Sequence, residues 1–368
     1  MVFLTVWLPT IIVFVLMLGL LILFHELGHF FAAKRAGMVV KEFGFGLPPR
    51  IWGKKIKGTI YSINLLPIGG FVKILGEDEE SDSQEAFGNK SVGRRIIVIV
   101  AGGLMNFVLA YLLFLILFWA SLPPMVSNPE QYGGKVDEES GGLYLQQIDE
   151  GGLADKNGLE IQDLIFNVDG IKTPTVMDLR DEISKNKDGQ IVIKIKRPAL
   201  NKVEGGEQII EKKINIEGKS VLGIGLTQKL SRVGYSWWKV PYFALIETAK
   251  AIYFVTAAII LLLWNLIVSH IVPGEVLGPV GVFGITSVAV RLGFAYVLNL
   301  LILFTINLGI INILPFPALD GGRLVFLIVE KIRGKKVAQK VENVIHNIGF
   351  LILIALMILV TWKDILRF

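Results

Sequence analysis

Apolar positions in this chain follow two patterns, long unbroken runs and short alternating ones. Four unbroken runs lie at about Phe3–Phe31, Ile96–Leu122, Leu292–Leu314 and Ile348–Trp362, the last with a polar turn before it. Each approaches or exceeds the length an α-helix needs to cross about 30 Å of hydrocarbon, and so predicts a membrane-spanning helix. A fifth run, Phe243–Val268, is interrupted only by Glu247 and Lys250 near one end. Hydropathy alone allows it to span. One extra crossing, however, would invert the Leu292–Leu314 helix, and this parity favours a helix that lies in the outer interface or re-enters.

Alternation returns between about Gly141 and Leu230. Leu143–Ile148, Ile165–Val168, Ile191–Ile195 and Ile209–Ile216 read as strands, and Val176–Lys185 as a helix. This is a soluble, mixed α/β insert, led by Pro123-Pro124 and the Gly/Asp/Glu-rich stretch Asn128–Gly142. Shorter strand patterns at Val39–Phe45, Thr59–Leu65 and Phe71–Leu75 predict a small sheet against the membrane face, with a solvated hairpin as the alternative. Glu77–Gln84 reads as an acidic surface loop. The expected division is a membrane core over 1–123, a linker over 124–140, the insert over 141–230, an interfacial or re-entrant segment over 231–285 and a second membrane core over 286–368.

Charge orients these segments. One basic loop carries Lys34, Arg35, Lys41, Arg50, Lys54, Lys55, Lys57, Arg94 and Arg95; another carries Arg323, Lys331, Arg333, Lys335, Lys336 and Lys340. The positive-inside tendency puts both in the cytoplasm and the insert outside. The net charge of +5 follows from this distribution, and no basic block interleaved with aromatics suggests nucleic-acid binding. With 53% hydrophobic residues the chain is too apolar for an ordinary soluble surface. It has no cysteine, which excludes thiolate ligands and disulfides. The first run lacks a basic leader and a small-residue cleavage site, so it is expected to stay as a helix.

Candidate chemistry sits inside that first run. His25-Glu26-Leu27-Gly28-His29 places two histidines on one helical face, where both can ligate one metal ion. Glu26 is then placed to activate the hydrolytic water. A third ligand is needed. His270 and His346 read as interfacial side chains. Asp320 follows two helix-breaking prolines, Pro315 and Pro317, at the cytoplasmic end of its span and at the level of His25. A carboxylate there is costly unless partnered. Two neutral histidines and one carboxylate leave Zn²⁺ one open position.

With Asn312-x-x-Pro315-x-Pro317-x-Leu319-Asp320-Gly321 added to the helical motif, the sequence resembles the site-2 proteases, most closely the bacterial regulator-of-sigma-E branch. Supporting motifs are Phe43-Gly44-Phe45-Gly46, Asn64-Leu65-Leu66-Pro67-Ile68-Gly69-Gly70 and Gly278-Pro279-Val280-Gly281. The resemblance implies a polytopic α-helical membrane protein with about four transmembrane helices and a small membrane-associated β-sheet. It implies an intramembrane zinc metalloprotease that cleaves single-span membrane proteins in the bacterial cytoplasmic membrane, with its active site near the cytoplasmic side. His25, His29 and Asp320 would bind zinc, and Glu26 would be the general base. Asn312, with Asn307 a weaker candidate, and Gly44, Gly46, Gly69 and Gly70 would serve the substrate. One departure is Gly103, where the family often has proline before the Asn of the second span, here Asn106.

The run Gly151-Gly152-Leu153-Ala154-Asp155-x-x-Gly158-Leu159-x-x-x-Asp163-x-Ile165 resembles a PDZ domain. It is either a receptor for a peptide or cleaved ectodomain, or a passive spacer, with Leu222–Leu226 the place to look for a carboxylate-binding loop. A silent membrane adaptor and a zinc transporter or sensor are the readings from other classes. The intact Glu26 argues against the first, and the clustering of polar intramembrane residues at one end argues against the second.

Overall fold

The computed structural model describes residues 7–77, 79–122, 124, 135–137, 141–172, 176–185, 189–198, 207–216, 222–229, 232–269 and 277–366. The linker expected at 124–140, apart from 124 and 135–137, lies outside them, as does His270. The chain divides into one compact unit of residues 1–115 and 244–368 and another of 116–243.

In the first unit, α1 (Leu8–Arg35) and α2 (Val92–Trp119) are each 28 residues long. Lys34 and Arg35 end α1, where cations complement the unpaired carbonyls of the last turn. Between the two helices, β1 (Val40–Ile56) and β2 (Thr59–Ile74) form a sheet. The structure differs here from the three short strands expected. Residues 42–45 pair with 60–63 on one side and with 73–70 on the other, while 50–56 pair back onto 64–59. Four strand runs therefore lie side by side, in the order 50–56, 59–66, 40–47, 70–74. The fourth is hidden in the sequence because Arg50, Lys54 and Lys55 mask the alternation of Trp52 and Ile56. Asn64 is buried at the bend and donates to the carbonyls of Phe45 (3.3 Å) and Gly46 (3.2 Å).

The second half of the unit holds most of α5 (Val240–Trp264), then α6 (Pro279–Leu292), α7 (Phe294–Ile313), α8 (Asp320–Arg333) and α9 (Gln339–Ile365). Among the described residues, five helices are long and apolar enough to cross a membrane: α1, α2, α5, α7 and α9. That is one more than the four spans expected. Charge does not interrupt α5, because Glu247 and Lys250 lie one turn apart and face each other at 3.9 Å. Several helices of this kind suit a multi-pass membrane protein.

Helix α7 is the most enclosed, burying Tyr296, Leu298, Leu301, Ile302, Ile306 and Ile310. By contrast, α9 leaves Phe350, Leu351, Leu356 and Leu359 outward, where lipid tails solvate them as well as protein would. Short α6 meets the start of α1 through Phe283, whose ring lies 5.9 Å from Trp7 and 5.5 Å from Phe14. Its first turn is capped by Asp364 at the end of α9, which accepts from the Gly281 N–H at 2.7 Å. At the other end, Arg95 of α2 forms a two-pronged ion pair with Glu330 of α8, at 2.9 and 2.5 Å. Arg323 of α8 pairs with Glu77 after β2.

The second unit contains β3 (Lys135–Asp137), β4 (Gly142–Ile148), α3 (Leu153–Lys156), β5 (Leu164–Val168), β6 (Ile171–Lys172), α4 (Val176–Lys185), β7 (Gln190–Pro198), β8 (Glu207–Asn215), β9 (Ile224–Lys229) and β10 (Arg232–Gly234). The main sheet runs β8-β7-β5-β4-β9, with β6 on β5; β3 and β10 pair separately. Alternate residues Leu143, Leu145, Ile191, Ile193, Ile195 and Ile214 form its core with Leu179 and Ile183 of α4. Fully buried Asp163 is held by both arms of Arg197, each at 2.7 Å. That pairing pushes the Arg197 pKa above its ordinary value. An open groove of about 510 Å³ runs between α4 and β9, lined by Val176, Leu179, Ile183, Leu222 and Ile224.

Candidate metal centre

His25 and His29 occupy successive turns of α1, and both are buried. Asp320 opens α8, where the exposed N–H groups of a helix start favour a negative charge. Buried Gly321 lets that start fold back on α7: a side chain there would run into the carbonyl carbon of Leu314 at 2.5 Å. The donor atoms of these residues converge. His25 Nε2 lies 3.0 Å from Asp320 Oδ2, His29 Nε2 3.2 Å from the same oxygen, and the two Nε2 atoms 3.2 Å from each other. Among the described residues this is the group of three His, Cys, Asp or Glu side chains that could hold a metal.

The triangle can be tested against a tetrahedral ion. Bonds of 2.0–2.1 Å at tetrahedral angles keep ligand atoms roughly 3.3–3.4 Å apart. Edges of 3.0–3.2 Å fit that within a small adjustment. Without a metal the same contacts need a proton on a histidine Nε2, donated to the Asp320 carboxylate. Outer partners agree with the metal reading. His29 Nδ1 lies 2.8 Å from the Val98 carbonyl, which accepts its proton and leaves Nε2 bare for a metal.

Helix α2 supplies more of the surroundings. A side chain at Gly102 would strike His29 Nε2 and come within 2.8 Å of His25 Cε1. Only hydrogen fits between α2 and the two rings. Asn106, fully buried one turn later, places its Nδ2 3.3 Å from His25 Nδ1. The sequence alone assigns Val98 and Gly102 no role at the site; their i, i+4 spacing on one face of α2, antiparallel to that of the histidines, matters only once the two helices meet.

Glu26 points off this triangle toward the sheet. The Val72 backbone N–H lies within reach of its carboxylate, and a Cβ built on Gly70 would stand 3.6 Å from its Cγ. Gly69 lies beside Ile22 of α1, and Gly44 pairs with Phe71. Gly46 sits further along β1, over the Leu66 carbonyl. Asn312, at the end of α7, places Nδ2 3.4 Å from His25 Nε2 and 3.5 Å from Nδ1. Asn307 is not drawn in; it donates to the Leu303 carbonyl of its own helix at 2.8 Å. His346 stays outside the triangle and accepts from the Ala318 N–H at 3.3 Å, steadying the turn before Asp320.

A family model described as Peptidase family M50 matches residues 13–356, nearly the whole chain. The chain belongs to peptidase family M50. Relatives match over the same extent. The regulator of sigma-W protease RasP of Bacillus subtilis is 29% identical over 445 residues, covering 97% of this chain and 98% of its own. The zinc metalloprotease RasP of Geobacillus kaustophilus is 28% identical over 440 residues, 98% of this chain and 99% of its own. A Clostridium acetobutylicum protein, whose name assigns it provisionally to the zinc metalloproteases, is 33% identical over 360 residues, 96% of this chain and 97% of its own. As an M50 peptidase the chain carries its three convergent donors and Glu26 on elements within the matched region.

Proposed function

We propose that this M50 peptidase hydrolyses peptide bonds in or beside the transmembrane segments of single-span membrane proteins, with His25, His29 and Asp320 holding Zn²⁺. The observation that carries the reading is the triangle of His25 Nε2, His29 Nε2 and Asp320 Oδ2, with edges of 3.0–3.2 Å, on helices apolar enough to lie in a bilayer. Bound zinc supplies a Lewis acid that polarises the scissile carbonyl and makes water more acidic. Glu26 takes the proton of the attacking water on its carboxylate and hands it to the leaving amine.

A membrane helix hides its carbonyls in internal hydrogen bonds, so cleavage requires local unwinding. Each backbone group left unpaired in hydrocarbon costs several kcal/mol. The run 70–74 pairs on one side, with 45–40, and lies beside Glu26. Its other edge is placed to pair with an unwound substrate strand and offset that cost. Gly69 and Gly70 keep this edge slim, Gly44 and Gly46 let the neighbouring run 40–47 pack closely behind it, and Asn312 lies where it can hold the strand next to His25.

The basic loops support a site at the cytoplasmic end of a bacterial cytoplasmic membrane, with the inserted unit outside. There the groove between α4 and the edge strand β9 is read as PDZ-like, taking an extended peptide or a cleaved ectodomain. The regulator of sigma-W protease among the relatives supports a regulatory proteolysis; anti-sigma factors or signal-peptide remnants are the substrate class that the resemblance to the site-2 proteases implies.

The test is Glu26→Gln in detergent-solubilised protein with a single-span substrate. Zinc content should stay at the wild-type level while cleavage falls by about 10²–10⁴-fold. Unchanged cleavage would refute the assigned base.

A further inference from the structure

Buried Asn106 has one unexplained atom. Its Oδ1 has no hydrogen-bond partner, while its Nδ2 stands 3.3 Å from His25 Nδ1. An amide donating to His25 Nδ1 would force the ring proton onto Nε2, the atom that faces Asp320 and His29. A protonated Nε2 cannot ligate a metal. The oxygen and nitrogen of an asparagine amide are assigned from the hydrogen-bond network, not from shape. Turning the amide by half a rotation removes the conflict at His25 and pairs the oxygen, while the nitrogen takes over the unpartnered position. Oδ1 then accepts from His25 Nδ1–H, and Nε2 is bare.

We propose that Asn106 is a positioning residue: its Oδ1 accepts the Nδ1 proton of His25 and so selects the tautomer that binds metal. This rests on the assignment of His25, His29 and Asp320 as ligands. The pattern is coherent along α2. Val98 and Asn106, two turns apart, each face the Nδ1 of one histidine, His29 and His25 respectively. His29 is served by a backbone carbonyl, whereas His25 needs a side-chain acceptor. Asn312 cannot choose between tautomers, because its amide nitrogen is nearly equidistant from both ring nitrogens of His25, at 3.5 and 3.4 Å. Thr305 of α7 donates to the Asn106 carbonyl at 3.2 Å, fixing the backbone from which the amide projects.

Zinc affinity of metal-stripped, detergent-solubilised protein, measured by competition with a chromophoric chelator, tests the proposal. Asn106→Leu and Asn106→Ala remove the acceptor and should weaken binding by about 10–100-fold. Asn106→Asp keeps an acceptor and has no amide donor, so it should bind within about threefold of wild type. The visible absorption of the Co²⁺-loaded protein should keep its shape in Asn106→Asp and change in the other two. His25→Ala and Asp320→Asn run alongside; if they bind zinc like wild type, the ligand assignment itself is wrong. If they lose zinc while Asn106→Leu binds like wild type, or Asn106→Asp weakens tenfold or more, only the role of Asn106 falls. Should the Leu and Ala variants fail to fold, the Asp variant decides alone, since donation by the amide requires its loss and acceptance requires its retention.

Discussion

Gly102→Ala is the sharpest single-atom perturbation of the metal centre. The added methyl would stand 2.6 Å from His29 Cε1 and 2.8 Å from His25 Cε1, and nearer still to His29 Nε2. Ordinary contact begins near 3.5 Å, so one ring or the α2 backbone must retreat by roughly 0.7–1.2 Å. Metal sites tolerate errors of about 0.2 Å in ligand distance. A misplacement near 1 Å in a reacting site costs on the order of 100-fold in rate. Helix propensity acts in the opposite direction, because replacing a mid-helix glycine by alanine stabilises by about 0.5–1 kcal/mol. The expected result is therefore selective: kcat/KM about 100-fold lower, zinc affinity reduced, and the melting temperature of the metal-free protein nearly unchanged. Gly93→Ala is the control, since it lies in the same helix with open space around it, and should behave as wild type. Cleavage of a single-span substrate by both variants, with zinc content measured on the same samples, decides the matter. A Gly102→Ala enzyme within threefold of wild type in both readouts would refute the claim that the histidines are packed against this position.

Four further outcomes are expected. Glu330→Gln leaves Arg95 buried without its carboxylate and should destabilise the first unit by on the order of 3 kcal/mol, seen as a lower melting temperature; no shift would show that the α2–α8 pair is idle. Asp163→Asn should loosen the second unit by about 2–4 kcal/mol, read as faster amide exchange in β5 and β7. The raised Arg197 pKa means its contribution is complete below the unfolded value and lost only as pH rises through the folded one. Exchange protection of β5 and β7 in the wild type should accordingly not fall between pH 7 and 10 through loss of this pair; a fall that Asp163→Asn abolishes would contradict the reasoning. Ile224→Lys puts a charge into the α4–β9 groove and should abolish binding of a peptide with an apolar C-terminus, measured by fluorescence anisotropy; unaltered binding would remove the groove from consideration.

Local pattern already determined much of this protein. Unbroken apolar runs specify long helices because hydrocarbon leaves the backbone no other partner, and alternation specifies the strands of the insert because their sheet has one buried face. The i, i+4 spacing of His25 and His29 dictates a shared helical face before any packing is considered. What pattern could not decide was which distant groups meet. Asp320 is 295 residues from His25, and the 3.0 Å between them depends on α7 and α8 closing against α1. Val98 and Gly102 carry no mark in an apolar helix, and Asn106 only its polarity and the family pattern; what they do is set by α2 running antiparallel to α1 at a distance that leaves no room for a side chain at Gly102. The folded-back sheet, too, required tertiary structure, since 40–47 could pair with either flank of β2 and does so with both. Periodicity is a property of neighbours along the chain, whereas a metal centre and its outer partners are set by helix packing, which the spacing of residues within one helix does not encode.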